Sequence, residues 1–210
     1  MTRTACQKKE SRAMQHLQAV DPILGAVIEK ITLEKRKPRT NYFQSLVEEI
    51  ISQQLSGRVT DVITERFIGL FDNAPFPTPD SILARSDEEL RKAGLSYQKI
   101  SYIKNVSRAV SAGELDFKKF PALTDEEIIA SLTQIKGIGR WTAEMFLMFT
   151  LGREDIFSYG DLGLKNAMQR IYGFRKHPSK KTAERISKKW HPHRTLAYRY
   201  LWASIKPSPD

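Results

Sequence analysis

Apolar positions along the chain fall at helical rather than alternating spacing almost throughout. In the clearest stretch Phe43, Leu46, Val47, Ile50 and Ile51 form one stripe behind a capping Asn41. A second stripe, Val59, Val62, Ile63, Phe67 and Leu70, follows Gly57. Asp21 with Pro22 predicts an N-cap and a first helical position ahead of "ILGAVIEKI". Ser86 with Glu89, and Thr124 with Glu127, have the spacing of capping boxes, the first helix closing near Gly94. Further helices are predicted at 97–112, 125–134, 140–151, 161–171, 180–190 and 193–205, with a proline-rich loop, "DNAPFPTPD", at 72–80. No convincing strand pair, internal repeat or low-complexity segment remains, so the expected fold class is all-α.

Four stretches depart from this regular pattern. In "IKGIGRWTAEMF" (135–146), Gly137 and Gly139 form a turn between two helices. Glycine there either stops and restarts the chain or delivers bare backbone N–H groups to a ligand. A dinucleotide fingerprint is disfavoured, because helix and not strand precedes the turn. In "FSYGDLGLKNAM" (157–168), Asp161 opens a helix about 20 residues after Trp141. It reads as an N-cap, and a carboxylate held there stays ionised, which suits a residue facing a developing cation or activating water. "ISQQLSGRV" (51–59) is either a polar loop or a pair of amides able to enter a DNA groove, with Leu55 as a wedge. "WHPHRTLAYRYLW" (190–202) interleaves aromatics with arginines, and Leu196, Tyr200 and Trp202 are expected in the core.

Composition sharpens the choice of partner. The 210 residues, 40% of them apolar, suffice for one sizeable domain or two small lobes. Lysine and arginine number 34 against 24 acidic residues, a net charge of +10 that favours a polyanionic partner. Local concentrations lie at 34–39, 174–181 and 187–190. The single cysteine, Cys6, excludes an internal disulfide and any four-cysteine zinc or iron–sulfur site, and implies a reduced setting. No apolar run approaches membrane-span length, and the polar N-terminus does not resemble a signal peptide. An intracellular location is expected, nuclear in a eukaryote or cytoplasmic and nucleoid-associated in a bacterium.

Taken in order, "EEIISQQLSGR", "LTQIKGIGRWTAEMF", "DIFSYGDLGL" and "WHPHRTLAYRYLW" resemble the helix-hairpin-helix (HhH-GPD) DNA glycosylases, specifically the AlkA-like branch of DNA-3-methyladenine glycosylase II type. The resemblance spans roughly residues 40–205 and implies two helical lobes with a DNA-binding cleft. One lobe would comprise 1–44 plus 156–210. The other, 45–155, would carry the wedge loop and the helix-hairpin-helix at 132–148. The resemblance implies that Lys136, Gly137, Ile138 and Gly139 grip DNA phosphates. The main-chain carbonyls of Thr133, Ile135 and Ile138 would hold a monovalent cation, sodium or potassium, and no other cofactor is implied. Asp161 matches the catalytic aspartate, which lowers the barrier to oxocarbenium charge as the base–sugar bond breaks. Trp141 stands where bifunctional relatives carry a Schiff-base lysine, implying a hydrolytic, lyase-free enzyme.

The implied base pocket is Trp141, Tyr159 and His193, and the implied minor-groove wedge is Gln53, Gln54, Leu55 and Ser56, with Gln54 at the plug position. Four positions depart from the family pattern. His193 replaces a tryptophan or tyrosine in "W-x-P-x-R", Ser158 and Tyr159 replace a proline and a smaller residue before the Gly-Asp, and Lys136 replaces the hairpin proline. The resemblance implies a monofunctional glycosylase that hydrolyses the N-glycosidic bond of alkylated bases in base excision repair. The alternative is a non-catalytic reader of abasic or distorted DNA on the same scaffold. Either way the expected partner is double-stranded DNA carrying alkylated bases or abasic sites, met by a monomer away from membranes.

Overall fold

The structure is a computed structural model that describes residues 3–34, 39–55, 57–71 and 75–205. Among the described residues there is no strand. In chain order the helices are α1 (Arg3–Val20), α2 (Pro22–Lys30), α3 (Tyr42–Ser52), α4 (Gly57–Ile68), α5 (Pro79–Ala84), α6 (Asp87–Arg91), α7 (Tyr97–Ser111), α8 (Asp125–Thr133), α9 (Arg140–Phe146), α10 (Leu162–Ile171), α11 (Lys180–Ser187) and α12 (Arg194–Ile205). A π turn, Leu147–Leu151, prolongs α9. No helix among the described residues is long and apolar enough to cross a membrane. The chain divides into two compact units, Met1–Lys37 with Gly152–Asp210, and Pro38–Leu151. The first boundary falls ahead of Asn41, which caps α3 through Gln44 N–H at 2.9 Å, so a cut at 44 would have split one continuous helix.

In the unit of residues 38–151, α3 is the central element. Its whole predicted stripe, Phe43, Leu46, Val47, Ile50 and Ile51, is buried, each side chain contributing on the order of 1.5–3 kcal/mol of apolar burial. Phe117, Phe120 and Phe146 close the core in edge-to-face contacts. Both capping boxes form, Ser86 with Glu89 on α6 and Thr124 with Glu127 on α8. The second stripe fails: of its five residues only Phe67 is buried, while Val59 and Val62 are 44% and 41% exposed. Phe67 packs on Phe71 and Phe76, so α4 meets a core only at its C-terminal end.

The unit built from both termini is tied by a buried aspartate. Asp21 caps α2, its Oδ1 accepting Leu24 N–H at 3.1 Å. Its Oδ2 accepts the Tyr172 hydroxyl at 2.6 Å and the Trp190 indole N–H at 2.9 Å. Burial first, and then the bond to Asp21, push the Tyr172 phenol far above its ordinary value, so it stays a donor at any working pH. The segment after residue 151 is held by Asp155, which accepts the Arg194 guanidinium at 2.8 and 2.9 Å and His191 Nδ1 at 2.6 Å. Thr195 adds a bond from Ile156 N–H at 3.1 Å.

Candidate functional site

In the unit of residues 38–151 the chain leaves α3 through Gln53, Gln54 and Leu55. Leu55 N–H closes on the Ser52 carbonyl at 3.0 Å, and Gln54 takes φ +59. Left-handed backbone is uncommon outside glycine, and here it sets an exposed amide at the tip of the turn. Leu55 beside it is half-buried. Gln53 is placed differently from its neighbour. Its Nε2 donates to the Gly137 carbonyl at 3.3 Å, on the hairpin, and to Thr142 Oγ1 at 3.4 Å, on α9. Expected in the wedge, Gln53 is a strut that ties the wedge loop to the hairpin. Ser56 lies outside the described residues.

The hairpin is a tight turn in which Ile135 N–H meets the Leu132 carbonyl at 3.1 Å and Ile138 N–H meets the Ile135 carbonyl at 3.0 Å. The Ile138 side chain is buried and anchors the turn. Its N–H is therefore already committed, and Ile138 offers a phosphate no backbone donor, contrary to expectation. Lys136 and Gly139 are exposed. The two glycines are not equivalent. Gly137 has φ +113, and a Cβ there would lie 2.2 Å from Tyr102 Cγ. Gly139 has φ −86 and ψ 169, an ordinary extended conformation, and a Cβ there would meet nothing within 4 Å. The fold requires glycine at 137 and does not require it at 139. Among the described residues, the N–H of Gly139 has no acceptor.

Helix α7 braces this surface, a role the sequence did not suggest. Tyr102 fills the space over Gly137, Asn105 Nδ2 donates to the Lys136 carbonyl at 3.0 Å, and Lys99 Nζ donates to the Ile51 carbonyl at 2.6 Å. Burial pulls the Lys99 amine below its ordinary value. Wedge loop, hairpin and α7 together line a polar cavity of about 510 Å³ that includes Thr133, Ile135 and Ile138. Past the hairpin, residues Thr142 to Met148 are buried without interruption, whereas Trp141 is 36% exposed.

In the unit of residues 152–210, Asp161 closes a turn on the Ser158 carbonyl at 3.2 Å and caps α10. Its Oδ1 accepts Leu164 N–H at 2.6 Å and the Trp202 indole N–H at 3.0 Å, and the residue is only 4% exposed. Trp202, expected in the core, keeps 36% of its surface exposed. Tyr159 is committed to the 174–179 segment: its hydroxyl donates to the Pro178 carbonyl at 3.1 Å, and Lys165 Nζ sits 4.9 Å from its ring centroid. His193 is half-buried with its ring edge-on to His16, 5.5 Å between centroids. His16 escaped sequence reasoning because α1 carries no clear apolar stripe.

This set of features, a braced glycine hairpin, an exposed amide at a strained turn and a capped carboxylate twenty residues past the hairpin tryptophan, coincides with a known family. Residues 47–193 match the HhH-GPD superfamily base excision DNA repair proteins. The chain belongs to this family. Within the HhH-GPD superfamily it is 36% identical over 176 residues to DNA-3-methyladenine glycosylase 1 of Schizosaccharomyces pombe, covering 83% of this chain and 75% of that one. It is 33% identical over 195 residues to the alkylbase DNA glycosidase-like protein mag2 of the same organism, covering 91% and 92%. Among solved structures, the S. pombe 3-methyladenine DNA glycosylase Mag1 in complex with abasic DNA superposes with a TM-score of 0.86 at 33% identity, covering 94% of this chain and 98% of that one.

Proposed function

We propose that this HhH-GPD protein is a monofunctional DNA glycosylase that hydrolyses the N-glycosidic bond of alkylated bases of the 3-methyladenine type. The observation that carries the reading is Asp161: a carboxylate at a helix N-terminus, held by two donors on one oxygen, in a chain with Trp141 at the lyase lysine position. A carboxylate fixed in this way stabilises oxocarbenium charge on the deoxyribose without reorganising as the bond breaks. Gly139 gives a phosphate access to a backbone N–H, and Lys136 adds a positive charge beside it. Gln54 and Leu55 fill the gap left in the stack by an extruded base, and Trp141 presents that base an aromatic face. Tyr159, held by Pro178 and Lys165, supports the turn that presents Asp161.

The carbonyl-rich hairpin also fits a monovalent cation. Thr133, Ile135 and Ile138 line one polar cavity with no carboxylate among its residues, which argues against a divalent ion, and Lys99 and Lys136 line the same cavity. Bound by those carbonyls, the ion would add positive charge to the phosphate grip. The partner is double-stranded DNA carrying alkylated bases or abasic sites, bound by a monomer.

One observation favours a second reading, a non-catalytic reader of abasic or distorted DNA. Asp161 is almost wholly covered and already serves two donors. Single-turnover excision on matched duplexes bearing 3-methyladenine, 7-methylguanine or hypoxanthine, with binding measured on an abasic analogue, separates the two. Release of an alkylated base supports the glycosylase. Tight abasic binding without release of any base supports the reader.

A further inference from the structure

Trp202 sits in a helix whose neighbouring Tyr198, Tyr200 and Leu201 are buried, yet its indole lies partly at the surface and turns its N–H onto Asp161 Oδ1 at 3.0 Å. The bond depends on what residue 163 lacks. A Cβ on Gly163 would stand 2.7 Å from the indole Nε1, 2.8 Å from Cε2 and 3.0 Å from Cζ2. Those contacts are shorter than packed atoms tolerate, and the indole is a rigid ring that cannot bend away from them. The backbone at 163 does not itself call for glycine: the residue lies inside α10 and has no positive φ. Gly163 stands in the first turn of α10, where the space a Cβ would need is taken by the indole.

We infer that Gly163 and Trp202 are positioning residues for the Asp161 carboxylate, with Gly163 acting through Trp202. A helix cap by itself holds Oδ1 from one direction only, that of the first turn. A second donor, brought from α12 to the same oxygen, restrains Oδ1 from a second direction. Fixed orientation is what electrostatic stabilisation of a developing cation requires, and a misplacement of about 1 Å costs on the order of 100-fold in rate. The inference rests on the reading of Asp161 as the catalytic carboxylate.

A double-mutant cycle tests it. In single-turnover excision from a 7-methylguanine duplex, Gly163→Ala and Trp202→Phe should each slow base release, by up to about 100-fold, while affinity for an abasic-analogue duplex stays near wild type. The double variant should be no slower than Trp202→Phe alone, because the methyl group then has no indole to displace. A further loss in the double variant, or affinity falling in step with rate, overturns the inference. An arm that needs no excision is the Trp202 indole N–H resonance, assigned by its disappearance in Trp202→Phe. It should shift in Gly163→Ala and in Asp161→Ala, and a resonance unmoved by both overturns the contact. A wild-type protein that excises nothing but shows the shift overturns the catalytic reading and leaves the positioning contact supported.

Discussion

Substituting alanine separately at the two hairpin glycines should give opposite results, because the fold constrains them differently. At 137 the added Cβ meets Tyr102 at 2.2 Å, and the backbone stands at φ +113. Positive φ costs a non-glycine residue about 1–2 kcal/mol, and overpacking against a fixed ring adds about 1–3 kcal/mol. Gly137→Ala should therefore destabilise the protein by about 2–5 kcal/mol. At 139 the added methyl group enters open space from an ordinary backbone conformation. The entropy gained by replacing glycine roughly offsets the weaker N-cap, leaving stability within about 1 kcal/mol of wild type. The same methyl group occupies the approach to the Gly139 N–H. A lost hydrogen bond to a charged phosphate is worth about 1.5–3 kcal/mol, so affinity for any duplex should fall by roughly 10- to 100-fold. Urea denaturation and fluorescence anisotropy on abasic and intact duplexes measure the two effects. A folded Gly139→Ala that binds DNA as tightly as wild type would remove this amide from the interface, and an undisturbed Gly137→Ala would refute the Tyr102 packing argument.

Three further outcomes are expected. With Trp141 proposed to stand at the Schiff-base lysine position, borohydride should trap no covalent complex on abasic DNA; a trapped complex that vanishes with Lys136→Ala would show an amine attacking the sugar. Asp155→Ala should destabilise the protein by about 2–3 kcal/mol through the lost Arg194 and His191 bonds. Burial raises the Asp155 carboxyl, but the bonds from Arg194 and His191 outweigh it and hold the group below the usual range, so its stabilisation is present at neutral pH and disappears as pH falls through that depressed value. An acid unfolding limb identical in wild type and Asp155→Ala would contradict this. Burial, partly countered by Arg39, raises Glu49 to about 7, so its penalty grows as pH rises from the ordinary carboxylate range through that value. Glu49→Gln should therefore be more stable than wild type at pH 8 and nearly equal at pH 4; a pH-independent difference would refute the burial argument.

The sequence was most informative where a local rule acts alone. Asn41, Ser86, Thr124 and Asp161 cap helices within a few residues of themselves, and each could be recognised from spacing. The α3 stripe was legible because a central helix buries everything its period aligns. The same period on α4 misled, since nothing in "VTDVITERF" records that only its far end reaches a core. Helix α1 was missed for the converse reason: among its residues with described burial only Ala13 and Leu17 are buried, too few to make a stripe. The site showed the same division. Asp161, Trp141 and the glycines stood out as motif positions, whereas the bracing by Tyr102, Asn105 and Lys99, the strut role of Gln53 and the reach of Trp202 across Gly163 join residues 31 to 89 positions apart. Such contacts follow from three-dimensional packing and leave no periodic trace.

The central claim, that Asp161 supplies chemistry beyond capping α10, is tested most directly by Asp161→Asn. Asparagine keeps an oxygen for Leu164 N–H and Trp202 while removing the charge, so the helix and its neighbours should persist. Single-turnover release of an alkylated base should fall by at least about 100- to 1,000-fold, the scale of a lost electrostatic stabiliser, with thermal stability and abasic-duplex affinity near wild type. An Asp161→Asn protein that releases the base at the wild-type rate would contradict the account.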